Sequence, residues 1–302
     1  HLLRATADED EGVRLAAAAI LAQNRVAAIV PVLVEWLSDF ELKVRVEAVR
    51  LLGQMGISDA VGPLIRTFGD MEHQVRMAAV EALGRIGSRK AITGIIGRLD
   101  DPNVKVRRAA IGVLAELTDA RSVIPLLGKL NDPATEIRQA AVKALARIAD
   151  PRAIPPMLRL LKDSAVAVRI EAISALGQLR TTTAAAALVN SFTESRNLEE
   201  RRALVKALGR LGTTEARAAL LTALTDPGLA EAVRDALVAA GRDIVPALTR
   251  LLGSGRLRGP EAEIVVKALK DIGDRRASPA LVREFHRDLV PRSQVVEALA
   301  TC

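Results

Sequence analysis

Apolar and polar positions repeat along this chain with a period of 31 residues. The clearest copy is segment 70–87, DMEHQVRMAAVEALGRIG, where an Asp is followed six residues later by an Arg and then by an apolar segment ending at Gly. Apolar residues at offsets −1, +3, +7 and +10 from the Arg share one stripe, which predicts an amphipathic helix with a buried face. A fixed period of this length indicates a repeat protein. The recurring residues are Asp8, Asp39, Asp70, Asp101, Asp132 and Asp163, with Arg14, Arg45, Arg76, Arg107, Arg138 and Arg169.

Each repeat is predicted to contain two helices. A short first helix, as at 61–68 (VGPLIRTF) and 153–161 (AIPPMLRLL), often carries Pro in its first turn, where the missing N–H breaks no helical bond. The second helix carries the recurring Arg, and the Asp of an Asp-Pro loop, as at 101–102, is predicted to cap it. The glycines predicted to end second helices in a left-handed conformation are Gly56, Gly87, Gly212 and Gly273.

The predicted fold is all-α, a right-handed α-solenoid of about ten helix pairs in which each repeat packs on its neighbours. The repeats are regular over 1–180 and degenerate over 181–302, where a long loop is predicted at 253–260 (GSGRLRGP). No break in composition separates the two parts, so we expect a single array over residues 1–302. Because the chain begins at His1 rather than Met and stops in EALATC, we expect it to be a piece of a longer protein.

Composition narrows the class of protein further. Half of the residues are hydrophobic but only 2% are aromatic, so the core is built from Ala, Leu, Val and Ile rather than from rings. The single cysteine, Cys302, excludes an internal disulfide framework and a cysteine-based zinc site. No apolar run is long enough for a membrane-spanning helix. These features favour a cytoplasmic protein.

Two motifs of the repeat can be compared with a known family. The second helices read DPNVKVR at 101–107 and ALGRIG at 82–87, and the first helices follow an AIPxLxxLL-like pattern. In these motifs the chain resembles the HEAT-repeat family, and more closely the short bacterial HEAT-like repeats also found in phycobilisome lyase subunits. The resemblance covers nearly the whole chain. It implies that the second helices line a concave surface and that the protein serves as a binding scaffold.

The recurring Asp and Arg residues have two interpretations. They could form a ladder of ion- or phosphate-binding groups, or a structural ladder in which each Arg uses its donors on loop carbonyls and on the Asp of an adjacent repeat. We favour the structural interpretation, because repetition in every repeat is what stacking requires. The residues assigned to the structural ladder are Asp39, Asp70, Asp101, Asp132 and Asp163, with Arg45, Arg76, Arg107, Arg138 and Arg169.

No segment matches a catalytic or metal-binding motif. The three histidines, His1, His73 and His286, are far apart, and none has a second ligand at metal-binding spacing. Deoxyhypusine hydroxylase is a HEAT-like enzyme with His-Glu motifs, but here His73 is followed by Gln74. Neither a GxSxG elbow nor a GxGxxG loop occurs. We therefore expect no catalytic residue, no metal, no cofactor and no enzymatic activity.

Side chains on the predicted concave side vary between repeats, and many are basic. The basic residues lie at or near offsets +5 and +9 from the recurring Arg, and Glu81 and Glu116 interrupt them. This pattern is typical either of an ordinary solvated helix face or of a groove for an acidic protein segment. The candidate partner-binding residues, here called the basic strip, are Arg50, Arg85, Arg108, Lys143, Arg147, Arg202, Lys206 and Arg210.

The net charge of +7 also bears on the partner. Lys and Arg number 20 against 19 Asp and Glu in residues 1–150, and 23 against 17 in residues 151–302, so the excess lies in the second half. Such an excess suits an acidic protein or nucleic acid. A groove like that of a HEAT-like DNA glycosylase needs aromatic side chains, and only one Trp, four Phe and no Tyr are present.

The sequence therefore predicts a non-catalytic scaffold that binds a protein partner on its concave face. Two alternatives stay open: a chromophore-lyase-like subunit, which only the repeat type supports, and a protein that binds the nucleic-acid backbone by charge alone. Nucleic acid is the less favoured partner, and the sequence does not indicate an oligomeric state.

Overall fold

The computed structural model describes residues 1–287 and 289–302, and it divides into two compact units, His1–Ala153 and Ile154–Cys302. The described residues form twenty α-helices joined by turns and short 3-10 helices, and they contain no strand. The predicted all-α repeat fold is therefore confirmed. The expectation of one continuous array over residues 1–302 stays a prediction.

The first unit contains five pairs of α-helices. In each pair a short helix precedes a longer one, which contacts it. The helices are α1 (Leu2–Ala5), α2 (Glu11–Gln23), α3 (Val30–Trp36), α4 (Leu42–Met55), α5 (Val61–Arg66), α6 (His73–Ile86), α7 (Ile92–Ile96), α8 (Val104–Leu117), α9 (Val123–Gly128) and α10 (Thr135–Ile148).

The second unit contains five further pairs, in which the first helix is often longer than in the first unit. The helices are α11 (Ile154–Arg159), α12 (Val166–Gln178), α13 (Ala185–Glu194), α14 (Leu198–Leu211), α15 (Thr214–Ala223), α16 (Ala230–Ala239), α17 (Val245–Gly253), α18 (Gly259–Ile272), α19 (Ser278–Phe285) and α20 (Arg292–Thr301).

The second helix of each pair forms a layer with the second helices on either side. In the first unit α4 packs against α6, α6 against α8 and α8 against α10; in the second unit α12, α14, α16, α18 and α20 pack in sequence. On α6, Val75, Ala79 and Leu83 are fully buried, as the helical stripe predicts. The opposite side of each second helix is left for solvent or for a partner.

Neighbouring second helices approach closely at a glycine eight residues after the recurring Arg. A Cβ atom on Gly53 would lie 2.6 Å from the Cβ of Ala82 on the next second helix. In the second unit, a Cβ on Gly209 would lie 2.6 Å from the carbonyl oxygen of Ala236. Only glycine fits these two positions. The second helices can pack this closely because Gly53 and Gly209 have no side chain.

The first helices are shorter than predicted. The segment predicted as helix over 61–68 contains α5, which ends at Arg66, and 3-10 turns at Ser58–Ala60 and Thr67–Gly69 flank it. The loop predicted at 253–260 is also shorter, because α17 extends to Gly253 and α18 begins at Gly259 with Pro260 in its first turn. Proline at that position needs no N–H partner, so it belongs to the helix rather than to the loop.

Four predicted helix ends are confirmed. Gly56, Gly87, Gly212 and Gly273 follow α4, α6, α14 and α18 with φ between 61° and 69°. Thr118 follows α8 in the same left-handed conformation with φ 47°, although threonine gives no such signal in the sequence.

The predicted cap by the loop Asp is wrong in position at Asp101, whereas Asp226 caps the 3-10 turn Pro227–Leu229 that precedes α16. Asp101 accepts the backbone N–H of Asn103 at 2.9 Å, and Asn103 rather than Asp101 precedes the first residue of α8. The Asp therefore closes a turn just before the helix, because its side chain reaches the N–H group two residues ahead.

Candidate functional site

A buried polar contact of the first unit joins Arg76 on α6 to the loop before α8. Its Nε donates to Asp101 Oδ2 at 2.7 Å and its Nη2 to Asp101 Oδ1 at 2.9 Å. Its Nη1 donates to the carbonyls of Asp70 at 2.8 Å and Met71 at 2.9 Å. Arg76 is 8% exposed and Asp101 3%. One guanidinium thus ties the loop before its own helix to the loop of the next repeat.

The same arrangement recurs elsewhere in the first unit. Arg45 Nε lies 2.8 Å from Asp70 Oδ2, and Arg107 Nη2 lies 3.1 Å from Asp132 Oδ1. Asp39 accepts the backbone N–H of Glu41 at 2.8 Å, and its carbonyl accepts from Arg45 Nη1 at 2.9 Å, but within the described residues no arginine pairs with its carboxylate. The pairs between an arginine and the carboxylate of the next repeat therefore start at Arg45 and Asp70, although Arg14 already donates to the carbonyls of Asp8 and Glu9.

In the second unit the acceptor changes at one repeat. Arg169 donates from Nε and Nη2 to the two carboxylate oxygens of Glu200 at 2.8 and 2.9 Å, and Glu200 lies in the first turn of α14. In the following repeat Arg201 pairs with Asp226. The change coincides with the spacing of 32 residues between Arg169 and Arg201 and with the loss of the loop Asp, since Ser195 stands six residues before Arg201.

Arg138 and Asp163, both assigned to the structural ladder, lie in different units. Arg138, at the end of the first unit, donates from Nη1 to the carbonyls of Asp132 at 2.9 Å and Pro133 at 3.3 Å. Asp163, in the second unit, accepts the N–H of Ala165 at 2.8 Å. Each residue therefore orders the loop of its own repeat.

The ionisation of these carboxyl groups follows from their contacts. Burial alone raises the pKa of Asp101, but the hydrogen bonds from Arg76 and from the backbone N–H of Asn103 outweigh it and hold the pKa below its ordinary value. The hydrogen bonds from Arg169 likewise lower the pKa of Glu200. Because carboxylate and guanidinium satisfy each other, this geometry favours a structural role over a role in binding ions or phosphate.

A second series of Asp–Arg contacts, not identified from the sequence, lies in the turns before the first helices. The side chain and backbone N–H of Arg121 bind Asp119 and lower its pKa to about 2. Arg121 Nη2 also donates to the carbonyl of Arg89 in the preceding repeat at 3.3 Å. The spacing Asp-x-Arg could have revealed it, since it recurs at Asp150–Arg152 and Asp274–Arg276.

The basic strip lies on second helices in both units. Arg50, Arg85, Arg108, Lys143 and Arg147 belong to α4, α6, α8 and α10 of the first unit, and Arg202, Lys206 and Arg210 belong to α14 of the second. Six of the eight side chains are exposed, and Arg50 and Arg202 are half-buried. The structure therefore describes two groups of strip residues, each on the solvent side of its own layer.

Two strip residues already have carboxylate partners on their own helices. Arg50 contacts Glu47 at 2.5 Å, and Arg202 contacts Glu199 at 2.7 Å. By contrast, Lys143 and Arg147 engage no hydrogen bond or ion pair within the described part of the chain. Their charge is therefore available to a partner, whereas that of Arg50 is largely neutralised.

The strip in the second unit borders acidic side chains. A cleft of 480 Å³ lies between α14 and α16, and its lining includes Arg202 and Lys206 on one side and Glu231 and Asp235 on the other. The repeat pattern does not predict these acidic neighbours, because α16 belongs to a degenerate repeat. The surface here carries both signs of charge rather than a uniform positive field.

Metal sites and membrane-spanning helices are two other features that residues 1–287 and 289–302 could contain. No group of three or more His, Cys, Asp or Glu side chains in these ranges is arranged to hold a metal ion. No helix within them combines the length and the apolar character that crossing a membrane requires.

Comparison with solved structures places the fold among known repeat proteins. The Escherichia coli protein YibA aligns with a TM-score of 0.59 and 22% identity over 80% of this chain and 91% of that chain. Importin beta aligns with a TM-score of 0.68 and 13% identity over 99% of this chain and 51% of that chain. The CpcE–CpcF phycocyanin lyase from Nostoc aligns with a TM-score of 0.45 and 24% identity over 80% of this chain and 94% of that chain. The alignments with YibA and importin beta show likeness of fold alone.

Sequence comparison identifies the repeats themselves. No curated protein matches the chain in sequence. The family model described as HEAT repeats matches overlapping segments 1–70, 30–115, 63–134, 92–167, 123–201 and 159–240, which together span residues 1–240. With helix pairs in both units and this match over most of its length, the chain belongs to the HEAT-repeat family.

Proposed function

We propose that the chain is a non-catalytic scaffold that binds a protein partner on the solvent side of its second helices. The observation that supports this proposal is the pair Lys143 and Arg147, one turn apart on α10. Both are exposed, and neither has a partner within the described part of the chain. Cations that stabilise nothing within the fold are available to an acidic side chain of another protein.

The mechanism follows from the rigidity of the layer beneath these side chains. The Arg76–Asp101 contact and the close approach at Gly53 hold neighbouring second helices in one arrangement. A partner therefore meets side chains whose backbones are already in place, and binding costs little ordering of the scaffold. Specificity comes from the pattern of side chains along the layer.

Charge reversal tests this proposal. The tagged chain and a Lys143→Glu, Arg147→Glu variant are used to capture partners from a lysate of the source cells, followed by mass spectrometry. A second variant, Arg89→Glu with Lys90→Glu, makes the same change in net charge at exposed cations outside the strip. We expect a partner that is lost from the strip variant and retained by the control. A partner retained equally by all three proteins would contradict the proposal.

The same experiment separates the nucleic-acid alternative. Binding to the phosphate backbone would weaken steeply with salt and would respond to either charge reversal, because it depends on total positive charge. No contact described here favours the chromophore-lyase-like alternative, which stays a prediction from the repeat type.

A further inference from the structure

Two large apolar side chains are exposed to solvent at equivalent positions of consecutive repeats. Phe40 follows Asp39 and is 86% exposed; Met71 follows Asp70 and is 95% exposed. The same position holds polar or small residues or proline in other repeats, namely Glu9, Pro102, Pro133 and Ser164. The fold therefore does not require an apolar side chain there, and exposing two of them is unfavourable unless something covers them.

The backbones that carry these side chains are fixed. Arg45 Nη1 donates to the carbonyl of Phe40 at 3.0 Å, and Arg76 Nη1 donates to the carbonyl of Met71 at 2.9 Å. Asp70 closes the second loop by accepting the N–H of Glu72 at 2.8 Å. Both apolar side chains thus project from ordered loops, which limits the entropy lost when a partner binds them.

A cleft of 580 Å³ lies beside these loops in the first unit. Its apolar lining includes Leu37, Pro63 and Met71, and the paired Arg45 and Asp70 form part of its polar lining. Consecutive second helices lie roughly 10 Å apart, so Phe40 and Met71 are close enough to be bridged by one short segment of a partner. The cleft can receive an apolar side chain from that segment.

The charge around the cleft indicates which partner would fit. Segments 38–41 and 69–72 contain four carboxylates, those of Asp39, Glu41, Asp70 and Glu72, and no Lys or Arg. Arg45 neutralises Asp70, and Arg66 on the cleft lining offsets one further charge. The Glu11 carboxyl beside Glu41 raises the pKa of Glu41, so Glu72 is the carboxylate whose charge is most available. The edge is therefore acidic in a chain whose net charge is +7.

We propose that this surface, here called the loop edge and defined by Phe40, Met71 and the adjacent cleft, docks a protein segment with an apolar anchor flanked by Lys or Arg. Apolar contacts with Phe40 and Met71 supply the affinity, and the carboxylates select basic flanks. The loop edge lies at the ends of the second helices, away from the basic strip, and its partner has the opposite charge. The proposal therefore does not depend on the function proposed above.

The test uses short fluorescein-labelled peptides and the full chain. One peptide has a central Leu pair flanked by lysines; matched peptides replace the lysines with Glu or the leucines with Ser. Fluorescence anisotropy is measured with the natural chain and with a Phe40→Ser, Met71→Ser variant. Ile124→Ser, which removes a side chain that is 60% exposed elsewhere in the same unit, is the control. Phe40→Leu with Met71→Leu tests whether any apolar pair suffices.

We expect the Lys-flanked Leu peptide to bind the natural chain, the Leu variant and the Ile124→Ser control with similar affinity. We expect binding to the Phe40→Ser, Met71→Ser variant to be at least roughly tenfold weaker, as for loss of an apolar hot spot. Because both side chains are exposed, the melting temperature should not change. A Lys143→Glu, Arg147→Glu variant should bind as the natural chain does.

Four results would overturn the proposal: no binding of the Lys-flanked peptide, equal binding by the Ser variant, equal binding of the Glu-flanked peptide, or equal binding of the peptide with Ser in place of Leu. Sedimentation of the natural chain provides a further test. A dimer that dissociates in the Ser variant would assign the loop edge to a second copy of this chain instead.

Discussion

Arg76 and Asp101 lie 25 positions apart in sequence and meet through two hydrogen bonds of 2.7 and 2.9 Å, both side chains being nearly buried. The same guanidinium binds two carbonyls of its own loop. The pair therefore links consecutive repeats at the level of their loops, while apolar side chains link them at the level of their helices.

Loss of this arginine should destabilise the first unit. Arg76→Ala leaves the Asp101 carboxylate buried without its partner and should lower the free energy of unfolding by about 3 kcal/mol. For Arg107→Ala we expect about 1–3 kcal/mol. Urea denaturation followed by circular dichroism measures both. Arg85→Ala, an exposed change on the same helix as Arg76, should stay within about 0.5 kcal/mol, and an equal loss there would contradict the role of the pair.

Glycine-to-alanine substitutions should have opposite effects at two helical positions. Gly53→Ala places a methyl group 2.6 Å from Ala82 Cβ and should destabilise the chain by about 1–3 kcal/mol, although alanine favours helices. Gly112 lies in α8 with open space around it, so Gly112→Ala should stabilise by about 0.5–1 kcal/mol. Melting temperatures of the two variants give the comparison. If both substitutions raised the melting temperature, the second helices would have to pack less closely at Gly53 than the distance of 2.6 Å implies.

Stability should fall at acid pH. The pKa of Asp119, Asp150 and Asp274 is lowered to about 2 from an ordinary value of 3.8 by the arginines two residues on. A lowered folded-state pKa stabilises the fold above the unfolded value, and this stability is lost as the pH falls through the folded value. Urea midpoints should therefore decline between pH 4 and pH 2. Asp119→Asn should be less stable than the natural chain at pH 7 and should differ little from it near pH 2.

Glu284 should contribute to the pH dependence of stability with the opposite sign. It is 1% exposed on α19, and burial raises the pKa of its carboxyl despite the nearby charge of Arg287. A raised pKa gives stability that is present at acid pH and lost as the pH rises through the folded value. Glu284→Gln should thus raise the urea midpoint at pH 7 and leave it nearly unchanged near pH 4. A lower midpoint at pH 7 would mean that the ionised carboxylate is stabilising.

The sequence predicts the second helices well, because a stripe such as Val75, Ala79 and Leu83 reports burial directly. It does not reveal the close approach at Gly53, since the sequence does not show whether a glycine within a helix faces a neighbouring residue such as Ala82 or faces solvent. The basic residues could be identified from the sequence, but the acidic side chains that lie beside them could not. Asp235 borders Lys206 across a cleft, and only packing brings the two helices together.

The exposed apolar pair shows a similar limit. Phe40 and Met71 were not singled out from the sequence, because an apolar letter alone does not show exposure; they are exposed because they lie in the turns closed by Asp39 and Asp70. The repeat pattern also failed to predict the partner of Arg169: the position expected to hold Asp, six residues before Arg201, holds Ser195, and Arg169 pairs with Glu200 instead. Repeat patterns thus predict what every repeat shares better than what distinguishes one repeat from another.

Site-specific photo-crosslinking tests the central claim, that a protein partner binds the solvent side of the second helices, most directly. A photoreactive residue is placed at Glu116, exposed on the second helix α8, or at Ile124, exposed on the first helix α9. Each protein is irradiated in a lysate of the source cells. We predict a crosslinked partner from position 116 and none from position 124. Crosslinking from position 124 alone, or equally from both, would contradict binding on the second-helix face.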